Sequence, residues 1–160
     1  MSFEWERRMK LRLLLAGLVL VILSPVVALI GIPWTFFLPI ADDPLSWLTA
    51  GMIGVSAFFS WIVGLCCLFG QANFRGGCIN VAGARSVLRQ SVVWLIGTVC
   101  TSGLSVACLA LIVGTSAGRS YGPISLDLEL CSYLGLAVLP VGMAGVAWGV
   151  LLKSMRPDPQ

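Results

Sequence analysis

The chain is 160 residues long, 58% apolar and only 11% charged, with a formal net charge of +3 and no histidine. Soluble domains carry about a quarter charged residues, so this chain has too little polar surface to cover its Leu, Val, Ile and Phe side chains in water. That excludes an ordinary soluble domain, and basic residues clustered at the ends of apolar runs speak for lipid head groups rather than nucleic acid.

Residues 1–10 read as a short charged start, with Phe3 and Trp5 as interfacial anchors. A first span is predicted over about 11–32, close to the ~20 residues needed to cross ~30 Å of hydrocarbon. Pro25 inside it is expected to loosen the helix locally. Val26-Val27-Ala28 loosely imitates a signal-peptide cleavage site, but the apolar run continues past it and no polar segment begins there. Pro33, Trp34, Phe36, Phe37 and Pro39 make an aromatic exit, and Asp42, Asp43 and Pro44 turn the chain, with Asp43 as the expected N-cap.

A second span is predicted over about 45–69. The following connection, from Gln71 to Gln90, holds Asn73, the Gly76–Gly77 pair and three arginines, and is expected to be irregular or only partly helical. The third span covers about 91–114, and an outer loop with Gly118, Gly122 and Pro123 as breakers runs over 115–129. The fourth span covers about 130–152 with Pro140 inside it, and the tail, 153–160, reads as disordered.

Basic charge orients these elements. Arg7, Arg8, Lys10, Arg12, Arg75, Arg85, Arg89, Lys153 and Arg156 fall on one side of the predicted membrane, and Arg119 alone falls on the other. Segments rich in Lys and Arg stay in the cytoplasm. The expected architecture is therefore an all-α integral membrane protein: a four-transmembrane-helix bundle with short loops, one domain over 1–160, and both termini cytoplasmic (N-in/C-in). The expected location is a bacterial inner membrane.

The predicted spans contain no Asp, Glu, Lys or His, and their single Arg, Arg12, lies at a span end where it can snorkel to the interface. That argues against a proton-coupled transporter, whose relay needs intramembrane Asp, Glu or His. No nucleophile–base pair, metal cluster or phosphate loop occurs, so no enzyme, cofactor or metal site is expected. The six cysteines include no Cys-x-x-Cys, and only Cys131 is expected to reach an oxidising side, so a disulfide framework is not expected.

What remains is packing chemistry. Gly135, Gly142 and Gly149 recur every seven residues in the fourth span, and Gly145 and Gly149 form a Gly-x-x-x-Gly. Ser56, Ser60 and Gly64 recur every four in the second, and Gly97 and Thr101 share a face of the third. Small residues let helix backbones approach, which drives association where lipid removes the hydrophobic force. These positions are expected to pack the bundle internally or to bind a partner's helix, and Gly145→Leu or Gly149→Leu to disrupt bundle assembly. Asp42, Asp43, Asp127 and Glu129 make the outer side acidic and form a second candidate contact surface.

Over its whole length the chain resembles in architecture, though not through any motif, the small inner-membrane immunity proteins that neutralise pore-forming bacterial toxins. The resemblance implies a protein acting by contact, either an immunity protein or an accessory subunit of a membrane complex. The alternative is a small homo-oligomeric channel, holin or transporter. Expected partners are the lipid bilayer and another membrane or membrane-targeting protein, with homo-oligomerisation open and no nucleic acid.

Overall fold

A computed structural model describes residues 2–36, 44–75, 78–79, 81–116 and 123–155. The elements are α1 (Ser2–Phe36), α2 (Pro44–Ala72), a two-stranded hairpin of β1 (Phe74–Arg75) and β2 (Cys78–Ile79), α3 (Val81–Ser116) and α4 (Pro123–Ser154). Four helices are long and apolar enough to cross a membrane, over Glu4–Pro33, Pro44–Ala72, Gly83–Val113 and Cys131–Ser154. The shortest whole helix, α2 at 29 residues, is ~43 Å long at 1.5 Å per residue, so each outlasts the hydrocarbon core.

The helices overrun the predicted apolar spans, for local reasons. α1 begins at Ser2 because its charged start is amphipathic. Glu4 pairs with Arg8 at 2.6 Å and Glu6 with Lys10 at 2.9 Å, both one turn apart, while Met9 turns inward. α2 starts at Pro44, a residue preset for a helix's first turn. α4 starts at Pro123, seven residues before the predicted span. Asp43, the expected N-cap, lies outside the described residues, as do 156–160 of the predicted tail.

The connection over 71–90 differs most from expectation. It is partly helical, as one of the two expectations had it, but between the end of α2 and the first turns of α3 it forms the hairpin, with Phe74 paired to Ile79 and Arg75 to Cys78. Phe74 and Ile79 are both buried, packing with Met9, Leu13 and Leu151. Lys10 Nζ lies 5.7 Å from the centre of the Phe74 ring. The hairpin thus caps one end of the bundle, where the amino ends of α1 and α3 meet the carboxyl end of α4. At the other end Leu109 of α3 packs against Tyr133 and Ala137 of α4. The bundle therefore runs up and down, with its basic segments gathered at the hairpin end.

Helix α2 is central, touching α1, α3 and α4. The buried positions of α1 are Met9, Leu13, Gly17, Leu20, Ser24, Val27 and Gly31, and those of α4 are Tyr133, Ala137, Pro140, Ala144, Ala147, Leu151 and Ser154. The α4 set throughout, and the α1 set from Leu13 on, alternate steps of four and three, the spacing of helices packed with a slight left-handed supercoil. Where α2 meets α4 the contact is made of small residues: Cys67 Sγ lies 3.6 Å from the Ala147 carbonyl, and Gly70 leaves room for Leu151.

The outer surface is apolar. Leu11, Ile22, Leu29 and Ile30 of α1 and Val93, Ile96 and Leu111 of α3 are each more than half exposed. Such a surface suits hydrocarbon and would be prohibitive in water.

Candidate contact faces

The residues singled out in the sequence divide into an inner and an outer set. Ser56 and Ser60 of α2 are fully buried, and each donates to its own helix, to the Ile53 carbonyl at 2.9 Å and the Ala57 carbonyl at 3.2 Å. Ser60 Oγ also lies 2.7 Å from Ser24 Oγ of α1. With the Ser60 proton directed at Ala57, Ser24 is the donor of this interhelical bond. Gly64 sits one turn further on, where a Cβ would fall 2.8 Å from the Leu20 Cβ and 3.1 Å from the Gly17 carbonyl oxygen. Only a hydrogen fits between these backbones.

In α3, Gly97 receives the Phe59 ring of α2, with a hypothetical Cβ 2.6 Å from Phe59 Cδ2. Trp94, one turn earlier, meets the same ring at 5.4 Å between centroids. Thr101 is half-buried and donates to the Gly97 carbonyl at 2.8 Å. The hydroxyls of Thr98 and Ser105 likewise donate to carbonyls four residues back. Mid-helix hydroxyls in an apolar setting satisfy themselves this way.

The α4 glycines are placed otherwise. Gly135, Gly142, Gly145 and Gly149 are exposed, and a Cβ on any of them would meet nothing within 4 Å. Of the two expectations for these glycines, packing within the bundle or against a partner's helix, they do not meet the first within this chain: alanines 137, 144 and 147 face inward, from the opposite side of the helix. With Cys131 and Val138, also exposed, the four glycines form a second seam of alternating four- and three-residue steps: 131, 135, 138, 142, 145, 149. One helix thus carries two packing seams, and within this chain only one is used.

Asp42 and Asp43 lie outside the described residues; Asp127 and Glu129 fall in the first turns of α4, with side chains outside the description. No group of three or more His, Cys, Asp or Glu able to hold a metal occurs among the described residues. No protein-family model matches the chain, and comparison with curated proteins and with solved structures finds no match.

Two features escaped the sequence reading. Gly17, Ser24 and Gly31 recur every seven residues in α1, the same spacing as the α4 glycines, and it is this set that faces the bundle. The second is a groove of about 330 Å³ beside Pro25, between Ala28 of α1 and Gly54, Phe58 and Trp61 of α2. The rings of Phe58 and Trp61 stack along it at 6.4 Å and 25°.

Proposed function

We propose that this chain is a small polytopic inner-membrane protein, both termini cytoplasmic, that acts by contact with another membrane protein rather than by catalysis. The carrying observation is the outward seam of α4. Glycine destabilises a helix by about 1 kcal/mol relative to alanine, and four of them line one exposed face. The exposed face of α1, by contrast, is built from Leu11, Leu18, Ile22 and Leu29. Lipid has no need of the close approach that glycine permits; a packed helix does. The gathering of Arg7, Arg8, Lys10, Arg12, Arg85, Arg89 and Lys153 at the hairpin end supports the orientation.

Of the contact functions, neutralising a membrane-inserting toxin suits a compact bundle that offers one helix face, and an accessory subunit is the related form. Growth tests it. Cells producing a membrane-active toxin encoded beside this chain should survive when the chain is co-expressed, and lose protection with Gly142→Leu/Gly145→Leu at equal abundance. No rescue by the intact chain overturns the immunity reading. Ion flux through proteoliposomes of the pure protein should stay flat; a conducting trace would replace contact with a channel.

A further inference from the structure

The first turns of α3 carry a charge arrangement that the rest of the fold does not explain. Arg85 and Arg89 stand one helical turn apart on its exposed face. Among the described residues neither has an ion-pair partner, whereas Arg8 and Lys10 of α1 each hold a glutamate. No Asp or Glu occurs anywhere in the 36 residues of α3. Two guanidiniums at this spacing repel each other, and the positive end of the helix dipole adds to the same field. An anion from outside the chain relieves all of this.

The surface around them has the shape for one. Arg85, Ser86, Arg89, Gln90, Val93 and Trp94 line an open cleft of about 740 Å³. Ser86 Oγ donates to the Gly83 carbonyl at 2.9 Å, and Gln90 is exposed beside the arginines. Below Arg89, Val93 and Ile96 are 63% and 56% exposed, and Cys100 continues the same stripe. The cleft is thus polar and cationic at its top and apolar beneath, with a tryptophan at the boundary.

We infer that this cleft binds the phosphate-bearing head group of an anionic glycerophospholipid, with one acyl chain running along Val93, Ile96 and Cys100. Arginine suits the role because its planar fork gives two parallel hydrogen bonds to phosphate oxygens. The apolar stripe selects a lipid over a free phosphate, because only a lipid covers both parts of the surface at once. The inference rests on the chain sitting in a bilayer, but not on the partner seam of α4 or on which face of the membrane the basic end occupies.

The test titrates phosphatidylglycerol or phosphatidylcholine into the full-length protein in mild detergent, reading retained lipid by native mass spectrometry and the unfolding midpoint in parallel. Phosphatidylglycerol should be retained and raise the midpoint, and phosphatidylcholine should do neither. Arg85→Gln/Arg89→Gln should weaken retention about tenfold or more, the scale of one charge-assisted hydrogen bond. Arg85→Lys/Arg89→Lys should fall between, and Arg7→Gln/Arg12→Gln should match the unsubstituted chain. Equal retention of the two lipids overturns the proposal, as does a folded Gln double variant with undiminished affinity. A midpoint shift reproduced in full by inorganic phosphate makes this a site for a soluble anion and overturns the lipid assignment.

Discussion

Gly17 and Gly64 press their backbones together across α1 and α2: a Cβ on either would stand 3.0 to 3.1 Å from the other's carbonyl oxygen. Neither helix could come this close with a side chain between them, and the approach permits weak Cα–H···O contacts. Two turns along α1 and one along α2, the Ser24–Ser60 bond ties the same pair. Among the described glycines only these two have another helix's backbone among the atoms nearest the Cβ position, so a substitution there strikes the bundle itself.

Gly64→Ala should therefore destabilise by about 1–3 kcal/mol, the usual cost of overpacking, because the clash involves backbone and the Leu20 Cβ rather than a mobile side-chain tip. Gly17→Ala should be milder. It meets the Gly64 carbonyl at 3.0 Å, but its closest neighbours are the Leu68 tip atoms, which can turn aside. Unfolding in detergent by SDS titration checks both. Gly64→Ala at full stability would show that the two backbones stand further apart.

Gly145→Ala is expected to do the reverse. Nothing lies within 4 Å of its Cβ position, so the substitution gains helix propensity at no steric cost and should stabilise the isolated bundle by up to about 1 kcal/mol. Gly145→Leu and Gly149→Leu should leave the bundle intact and affect only what packs against α4 from outside. The pair of measurements, stability of the purified chain and function in cells, separates the two faces of this helix. Loss of monomer stability in Gly145→Leu would return the glycine seam to the interior.

The four helices were legible in the sequence because span length and charge-free composition are coarse properties. Which side of each helix faces inward was not. In water a helix shows its core side by hydrophobicity, whereas here the outward-facing Leu18 and Ile22 are as apolar as the buried Leu13 and Leu20. Small residues then become the main clue, and they mark any close helix contact, inside the chain or beyond it. The seven-residue repeat of Gly135, Gly142 and Gly149 therefore could not be told from that of Gly17, Ser24 and Gly31. The hairpin was hidden for a different reason. Phe74 and Ile79 lie among arginines and glycines, and their burial depends on helices distant in sequence.

The Ser24–Ser60 pair predicts a modest coupling. Interhelical hydrogen bonds in membrane proteins average about 0.6 kcal/mol, because each hydroxyl has its own helix carbonyls as an alternative. Ser60 already uses one, at Ala57. A double-mutant cycle of Ser24→Ala and Ser60→Ala should return a coupling of that size. A coupling near zero would mean that the 2.7 Å contact contributes only packing.

Gly97 and Phe59 should show the strongest dependence of one substitution on another. A methyl group at 97 collides with the Phe59 ring, which Trp94, one turn earlier on α3, also meets at 5.4 Å. Gly97→Ala alone should cost about 1–3 kcal/mol by forcing the ring off its rotamer. Phe59→Leu alone should also destabilise, because it removes the ring contact with Trp94. Combined, the smaller Leu makes room for the new methyl, so the double variant should be more stable than the sum of the two losses by at least about 0.5 kcal/mol, within the range seen for contacting residues. Strict additivity of the two losses would mean that the ring does not occupy the glycine's notch.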